Sequence, residues 1–173
     1  NVKILRDPRS SSSRADLRAQ FDFLMAVRDK VPETHMTIRH IRNIRGQIQT
    51  LMKRLQGEPE AEAVKTRGET IISALTSIEE TLYQTKNQSR QDPLNFPIRL
   101  NNKLSALAGV VSSGDYRPTD QAVAVKKEVT KKINMELAKY RSILETDIPA
   151  FNKLIHRRAI PAVMLKFEKG IDE

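Results

Sequence analysis

An apolar residue recurs every three or four positions along the first third of the chain, and this spacing limits what the chain can fold into. The repeat runs from Leu17 to Leu55, and a helix aligns such residues in one stripe. Ser13 suits an N-cap and Gly57 a C-terminal stop, which predicts a helix of about 43 residues, roughly 64 Å long. Pro32 falls inside it, but the apolar phase continues, which predicts a kink within one helix.

A second repeat follows almost at once. Pro59 lies between two glutamates, and this composition is typical of a first helical turn, so we expect the second helix to open at Glu58–Glu60. From Val64 to Leu82 the spacing of the seam is 4-3-4-3-4, as in antiparallel bundles and coiled coils. Because the turn between the two helices is short, they are expected to form a hairpin.

The middle of the chain predicts a long loop and a third helix. Residues 85–97 contain two prolines, and we expect Leu94 and Phe96 to tuck this loop against the core. The third helix is expected over about 98–113, where leucines and valines again repeat at helical spacing.

A fourth helix is predicted from Thr119, which suits an N-cap. Its seam runs from Val125 to Leu144. Pro149 then falls inside a helical pattern that resumes up to Ile155, so the proline predicts either a kink or a helix end. Residues 158–173 form a tail of mixed character.

These elements predict an all-α fold: an elongated up-down-up-down four-helix bundle with a long kinked first helix. An extended three-helix coil with a small fourth element is the alternative. The predicted organisation is a short strand and Ser-rich linker at 1–13, the helical bundle at 14–157 and the tail at 158–173. The residues expected in the core are Leu24, Ile41, Ile48, Ile71, Leu75, Ile78, Leu104, Leu107, Val129, Ile133 and Leu137.

The residue types present support little catalytic or metal chemistry. The chain has no cysteine, which excludes disulfides, thiolate metal sites and a cysteine nucleophile. His35 and His40 are five residues apart, not at the i, i+4 spacing of a zinc helix, and His156 stands apart. Glu79 and Glu80 diverge as neighbours on a helix, although glycoside cleavage needs two facing carboxylates. We therefore predict no catalytic residue, no metal and no cofactor.

The net charge of +9 raises the question of an anionic partner. Arg39, Arg42 and Arg45 follow one flank of the first helix and form a possible anion-binding flank, suited to phosphate contacts. No aromatic residue interleaves with them for base stacking, so nucleic acid is not the expected partner. The narrow apolar stripes suit partner helices better than a membrane surface.

Two long stretches carry a family resemblance. The segment YQTKNQSRQDPLNFPIRLNNKLSALAGVVSSGDYRPTDQ, from Tyr83 to Gln121, resembles the C-terminal helical region of bacterial proteins with sortilin-type, neuraminidase-repeat β-propellers, often labelled glycosyl hydrolases. The segment DPRSSSSRADLRAQFDFLMAVRDKVPETH, from Asp7 to His35, is similar to the start of that region. In that family a strand ending in Asp-Pro-Arg closes a small immunoglobulin-like domain, which fits NVKIL at residues 1–5 as a leftover strand.

The resemblance implies a non-catalytic appendage of an exported protein, located in the bacterial periplasm or outside the cell. Its expected partner is a protein: its own upstream propeller domain, a partner subunit or a second copy. The hydrolase label belongs to the propeller, so no catalytic residue is carried over. Two other hypotheses stay open, namely a basic helical module that binds nucleic acid or an acidic glycan, and a sugar hydrolase.

Overall fold

In the computed structural model, residues 5, 7–58, 61–89 and 91–160 are described, and they contain helices and no strand. The all-α class and the helical bundle are confirmed. The predicted strand at 1–5 falls outside these residues except for Leu5, as do residues 161–173 of the tail. The elements are α1 (Arg14–Arg54), α2 (Glu62–Leu82), a 3₁₀ turn (Asp92–Leu94), α3 (Leu100–Val111), α4 (Asp120–Ser142), a π-helical segment (Ile143–Asp147) and α5 (Ile148–Arg157).

Helix α1 is a single helix of 41 residues that continues across Pro32. Ser13 caps it as predicted, since its hydroxyl accepts from the Asp16 backbone N–H while the Asp16 carboxylate accepts from the Ser13 N–H. Pro32 lies on the exposed side of the helix. The carbonyl that loses its helical donor at this proline therefore faces water.

Helix α2 lies antiparallel to the C-terminal half of α1. Arg45 Nη1 donates to Thr76 Oγ1 at 2.8 Å. Nearer the end of α1 and the start of α2, a Cβ added to Gly68 would lie 3.0 Å from Ile48 Cγ2. The predicted hairpin is therefore present, and α2 begins at Glu62. The chain turns at Gly57, where φ is +90°, a conformation that glycine adopts freely. Of the expected start at Glu58–Glu60, Glu58 is not helical, and Pro59 and Glu60 lie outside the described residues.

Helix α3 lies antiparallel to the N-terminal half of α1. The Nε2 atom of Gln20 donates to the backbone carbonyl of Val111 at 2.7 Å. At the other end of α3, Asn101 Nδ2 lies 3.5 Å from His35 Nε2. Helices α2 and α3 thus follow one another in the same direction along α1.

This arrangement corrects the predicted up-down-up-down path, because the observed path is up-down-down-up. The loop after α2 folds back to its starting point, where Gln84 Nε2 donates to the carbonyl of Pro97 at 2.8 Å. Helix α3 therefore continues the course of α2 instead of reversing it. In cross-section the bundle has three helices along its length, as in the extended three-helix alternative.

Helix α4, the π-helical segment and α5 follow one another without a break and form one long helical segment parallel to α1. Lys30 Nζ lies 2.9 Å from Asn134 Oδ1, and Arg67 Nη2 lies 2.6 Å from Asp147 Oδ1. The N–H of Ile148 bonds the carbonyl of Ile143, five residues earlier. This wider turn immediately precedes Pro149 and carries the helix past a residue that has no N–H of its own.

The buried residues match most of the predicted core. Of the predicted set, Leu24 and Leu107 are only half-buried and the others are buried. Three expectations about packing are wrong: Leu94 in the loop is 87% exposed, and Val125 and Leu144 lie at the surface. Phe96 is half-buried and lies under the Lys86 ammonium.

Candidate functional site

Two of the three arginines in the predicted anion-binding flank form ion pairs within the protein. Arg42 Nε lies 2.6 Å from Glu79 Oε1, and Arg45 Nη2 lies 2.7 Å from Glu79 Oε2. Glu79 is only 1% exposed, so its carboxylate depends on these two guanidinium groups for compensation. Arg39 points outward and is exposed.

Both paired arginines make a further contact. Arg45 also donates to Thr76 Oγ1, and the Arg42 guanidinium lies over the Tyr83 ring at 5.4 Å from the ring centroid. Three guanidinium charges against one carboxylate leave a formal charge of +2 for Arg39, Arg42, Arg45 and Glu79. The flank is therefore a structural ion-pair cluster with Arg39 as its outward-facing member.

Glu79 belongs to a larger polar layer across the middle of the bundle. At this level, α2 ends and α3 begins beside α1. Thr34 Oγ1 bonds the Lys30 carbonyl of its own helix. Within the described chain, Asn101 Oδ1 is buried without a hydrogen-bond partner. We call this layer the polar waist, and it comprises every buried polar side chain of the described residues: Thr34, Thr37, Glu79, Gln84, Asn101 and Glu136.

The polar waist fixes the register of α2 against α1. Its two carboxylates each contact a cation, because Lys139 Nζ lies 2.8 Å from Glu136 Oε1 and Glu79 is held by the two arginines. His35 lies edge-on to Tyr83, with 6.1 Å between the ring centroids. Sliding α2 along α1 would separate Glu79 from Arg42 and Arg45 and leave a buried carboxylate uncompensated, so the waist favours one alignment of these two helices.

The described residues were compared with the arrangements that hold a metal ion or span a membrane. Nowhere among them do three His, Asp or Glu side chains come together as a metal site. His35, His40 and His156 do not converge on one point, because His35 lies at the waist and His156 in the last turn of α5. Over the same residues, no helix is long and apolar enough to cross a bilayer.

The N-terminal end of the bundle has a different surface. It is formed by the first turns of α1, the last turn of α3 and the first turns of α4. Gln20 Nε2 ties α1 to the carbonyls of Val111 and Gly114, and the Ser12 hydroxyl donates to the Asp115 carbonyl. Ser12, just before α1, is thereby held against the loop between α3 and α4.

Large apolar side chains are exposed around this end. Phe21 is 51% and Val110 is 60% exposed. The full set is Phe21, Val110, Tyr116, Val123 and Val125. They come from three helices and a loop that the fold brings together, so helical period alone does not reveal them as a group. Exposed apolar side chains gathered in one region are typical of an interaction surface.

Two contacts show how this surface is built. The guanidinium of Arg18 lies 5.6 Å from the centroid of the Phe21 ring. A cavity of about 190 Å³ separates α1 from α4, with Phe23 and Val123 among its lining residues. The Lys126 ammonium lies 4.3 Å from the centroid of the Phe23 ring. The surface thus combines apolar side chains with a rim of cations, which suits contact with another protein.

Comparison with known proteins gave no relative. No protein-family model matches the sequence, and neither a curated protein nor a solved structure matches it significantly.

Proposed function

We propose that this chain is a non-catalytic structural and interaction module that docks on a folded protein domain through the N-terminal end of the bundle. The observation that supports this most strongly is the group of exposed apolar side chains at that end. Phe21 and Val110 expose half or more of their surface there. Covering apolar surface is favourable by about 25 cal/mol per Å², so a partner that covers these side chains gains binding energy.

The partner we propose is the domain that precedes the helices in a longer polypeptide. Residues 7–13 lead into α1 at the N-terminal end of the bundle, where Ser12 bonds the Asp115 carbonyl. A domain attached through the serine run at 10–13 would therefore lie beside the exposed apolar side chains. The family resemblance suggests that this domain belongs to an exported β-propeller protein of the bacterial periplasm or cell exterior.

Binding of an anionic polymer is the second candidate, and exposed Arg39 favours it. Arg42 and Arg45 contribute less, because Glu79 offsets part of their charge. Such binding would weaken steeply as salt rises, whereas docking through apolar side chains would not. Salt dependence therefore separates the two proposals.

A cleavage experiment tests the proposed docking. A specific protease site is inserted between Arg9 and Ser10 of the longer polypeptide, which leaves Ser12 and Ser13 in place. The polypeptide is then cut and passed over a sizing column. The helical chain is expected to co-elute with the upstream domain at both low and high salt. Separation of the two pieces would overturn the proposal, and so would a gene that encodes no folded domain upstream of Asn1.

Matched variants locate the contact. Phe21→Glu and Val110→Glu place a charge at the N-terminal end and are expected to release the helical chain after the cut. Met36→Glu is the control, since Met36 is 54% exposed on the same helix as Phe21 but lies nearer its middle. Release by Met36→Glu alone would place the contact elsewhere and contradict the proposed surface.

A further inference from the structure

A small cavity lies within the surface proposed for docking, between the N-terminal part of α1 and the start of α4. Its volume is about 190 Å³, well below the range of about 300–1,000 Å³ that is typical of small-molecule sites. Val123 lines this cavity and also belongs to the exposed apolar side chains at this end of the bundle. The cavity therefore has the size for one side chain of a docked protein, and anchor residues in such pockets supply most of the energy of an interface.

Most of the lining of the cavity is apolar. Phe23 is 3% exposed and belongs to the core. Ala19 of α1, Val123 of α4 and Pro118, just before α4, are the other apolar lining residues. Pro118 is buried and Ala19 is half-buried. A side chain that enters the cavity therefore needs an aliphatic part to contact these walls.

Two cations line the same cavity. The Lys126 ammonium lies 4.3 Å from the centroid of the Phe23 ring, and Arg117 is an exposed lining residue next to Pro118. Among the residues that the structure describes, no carboxylate lies within salt-bridge distance of either cation. Both cations can therefore donate to an incoming carboxylate, and such charge-assisted hydrogen bonds are stronger than neutral ones.

The carboxylates near the cavity already have partners. Asp22, which lines the cavity, lies 3.0 Å from Arg18 Nε. Asp16, whose charge interacts with that of Arg117, accepts from the Ser13 hydroxyl at 2.6 Å and from the Ser13 N–H at 3.0 Å. The cavity therefore retains an excess of positive charge, which favours an anionic side chain over a neutral or cationic one.

We propose that this cavity is the anchor pocket of the docking surface and takes a glutamate side chain from the docked domain. The methylene groups of the glutamate contact Ala19 and Val123, and its carboxylate accepts from Arg117 and Lys126. The inference rests on the docking proposed above and adds the chemistry of the partner, which is an acidic side chain on its contact surface. A single carboxylate changes binding little with salt, whereas a polymer neutralises many charges at once, so the pocket agrees with docking that persists at high salt.

Short peptides test the pocket on the helical chain without the upstream domain. The probe is acetyl-Gly-Glu-Gly-amide, and acetyl-Gly-Gln-Gly-amide is its neutral control of the same shape. We expect the glutamate peptide to shift the methyl NMR signals of Ala19 and Val123, with saturation at about millimolar concentration. The glutamine peptide should bind about tenfold more weakly, because it loses two contacts between a cation and a carboxylate. Equal affinities for the two peptides, or unchanged signals from both methyl-bearing residues, would overturn the proposal.

Matched variants assign the preference to the two lining cations. Arg117→Gln with Lys126→Gln is expected to remove the difference between the peptides. Lys103→Gln with Lys131→Gln removes the same charge from exposed positions outside the cavity and is expected to preserve that difference. Ala19→Leu narrows the cavity with every charge intact and is expected to abolish binding of the glutamate peptide. Loss of the preference in both double variants would contradict the pocket, because general attraction to a basic protein would then explain the binding.

The pocket and the docking fail separately in these experiments. Absence of selective peptide binding overturns the anchor pocket even where the cut pieces of the longer polypeptide co-elute. Separation of the cut pieces overturns the docking, and with it the assignment of the pocket to the docked domain, even where the helical chain selects the glutamate peptide.

Discussion

The ion-pair cluster around Glu79 yields an asymmetric prediction about stability. The Glu79 side chain is almost fully buried, whereas the side chains of Arg42 and Arg45 are half-exposed and mostly buried, respectively. Removing both arginines leaves a buried carboxylate without compensation. Removing the carboxylate charge leaves Arg42, which is half-exposed to water, and Arg45, which still donates to Thr76 Oγ1. Deleting the cations should therefore cost more than deleting the anion.

The magnitudes follow from these contacts. Arg42→Ala with Arg45→Ala should lower the free energy of unfolding by about 3–5 kcal/mol, the range for breaking a buried pair. Glu79→Gln should cost about 1–2 kcal/mol, because it removes charge-assisted bonds but keeps the shape. Arg45→Ala alone should cost about 2 kcal/mol, since Arg42 still contacts the carboxylate. Arg39→Ala, the control, should stay within about 0.5 kcal/mol of the parent.

Urea unfolding followed by circular dichroism at helical wavelengths measures all four variants. The reasoning is refuted if Glu79→Gln costs as much as the double arginine variant. It is also refuted if Arg39→Ala is as destabilising as Arg45→Ala, because the cluster would then have no special role.

Three further predictions concern substitutions at four positions. Gly46→Ala should raise the free energy of unfolding by about 0.5–1 kcal/mol, because alanine favours the helix and its new Cβ meets open space. Gly68→Val should lower the free energy of unfolding by about 1–3 kcal/mol, because the added side chain overpacks the contact with Ile48. Urea unfolding checks both variants, and equal effects would contradict the close contact between α1 and α2 at Gly68. Leu75→Ala should cost about 2–5 kcal/mol, since Leu75 is fully buried; a thermal melt that does not shift would show a looser core. Burial raises the pKa of Tyr140 above its ordinary value of 10.0, so the folded state holds this proton more tightly than the unfolded state. This contribution to stability is complete below pH 10 and is lost as the pH rises further. The ultraviolet absorbance change that accompanies ionisation of Tyr140 should therefore appear only above pH 10, and Tyr140→Phe should remove it.

The spacing of apolar residues was sufficient to predict the helices, because an apolar residue every three or four positions in a long, glycine-poor chain indicates an amphipathic helix. It also predicted most of the core. The period failed at Val125, where three successive steps of four lead to Leu137. Each step of four turns about 40° past a full turn, so Val125 rotates off the stripe and onto the surface. Leu144 lies in the π-helical segment, whose wider turn shifts its face.

The direction of α3 could not be predicted from the sequence. A loop of this length permits either a reversal or a return to its starting point, and the choice depends on contacts such as Gln84 with Pro97. Leu94 was placed inward because it is apolar, yet hydrogen bonds from Ser89 to the Asp92 carboxylate shape this part of the loop. Local polar geometry therefore outweighed apolar burial in the loop.

The candidate surface was equally hidden in the sequence. Phe21 and Val110 are 89 positions apart along the chain, and only the antiparallel course of α3 along α1 brings them to the same end. In contrast, Arg39, Arg42 and Arg45 stood out as neighbours in the sequence, but a buried glutamate from α2 accounts for two of them. The sequence therefore showed that the flank is basic, and the structure showed that Arg42 and Arg45 pair with Glu79.

Hydrogen–deuterium exchange of the helical chain, measured alone and within its longer polypeptide, tests the central claim most directly. The proposed docking predicts slower exchange in peptides that cover 17–24, 106–116 and 120–126 when the upstream domain is attached. Peptides around Arg39–Arg45 should exchange equally in both states. Unchanged exchange at the N-terminal end, or protection confined to Arg39–Arg45, would contradict the account.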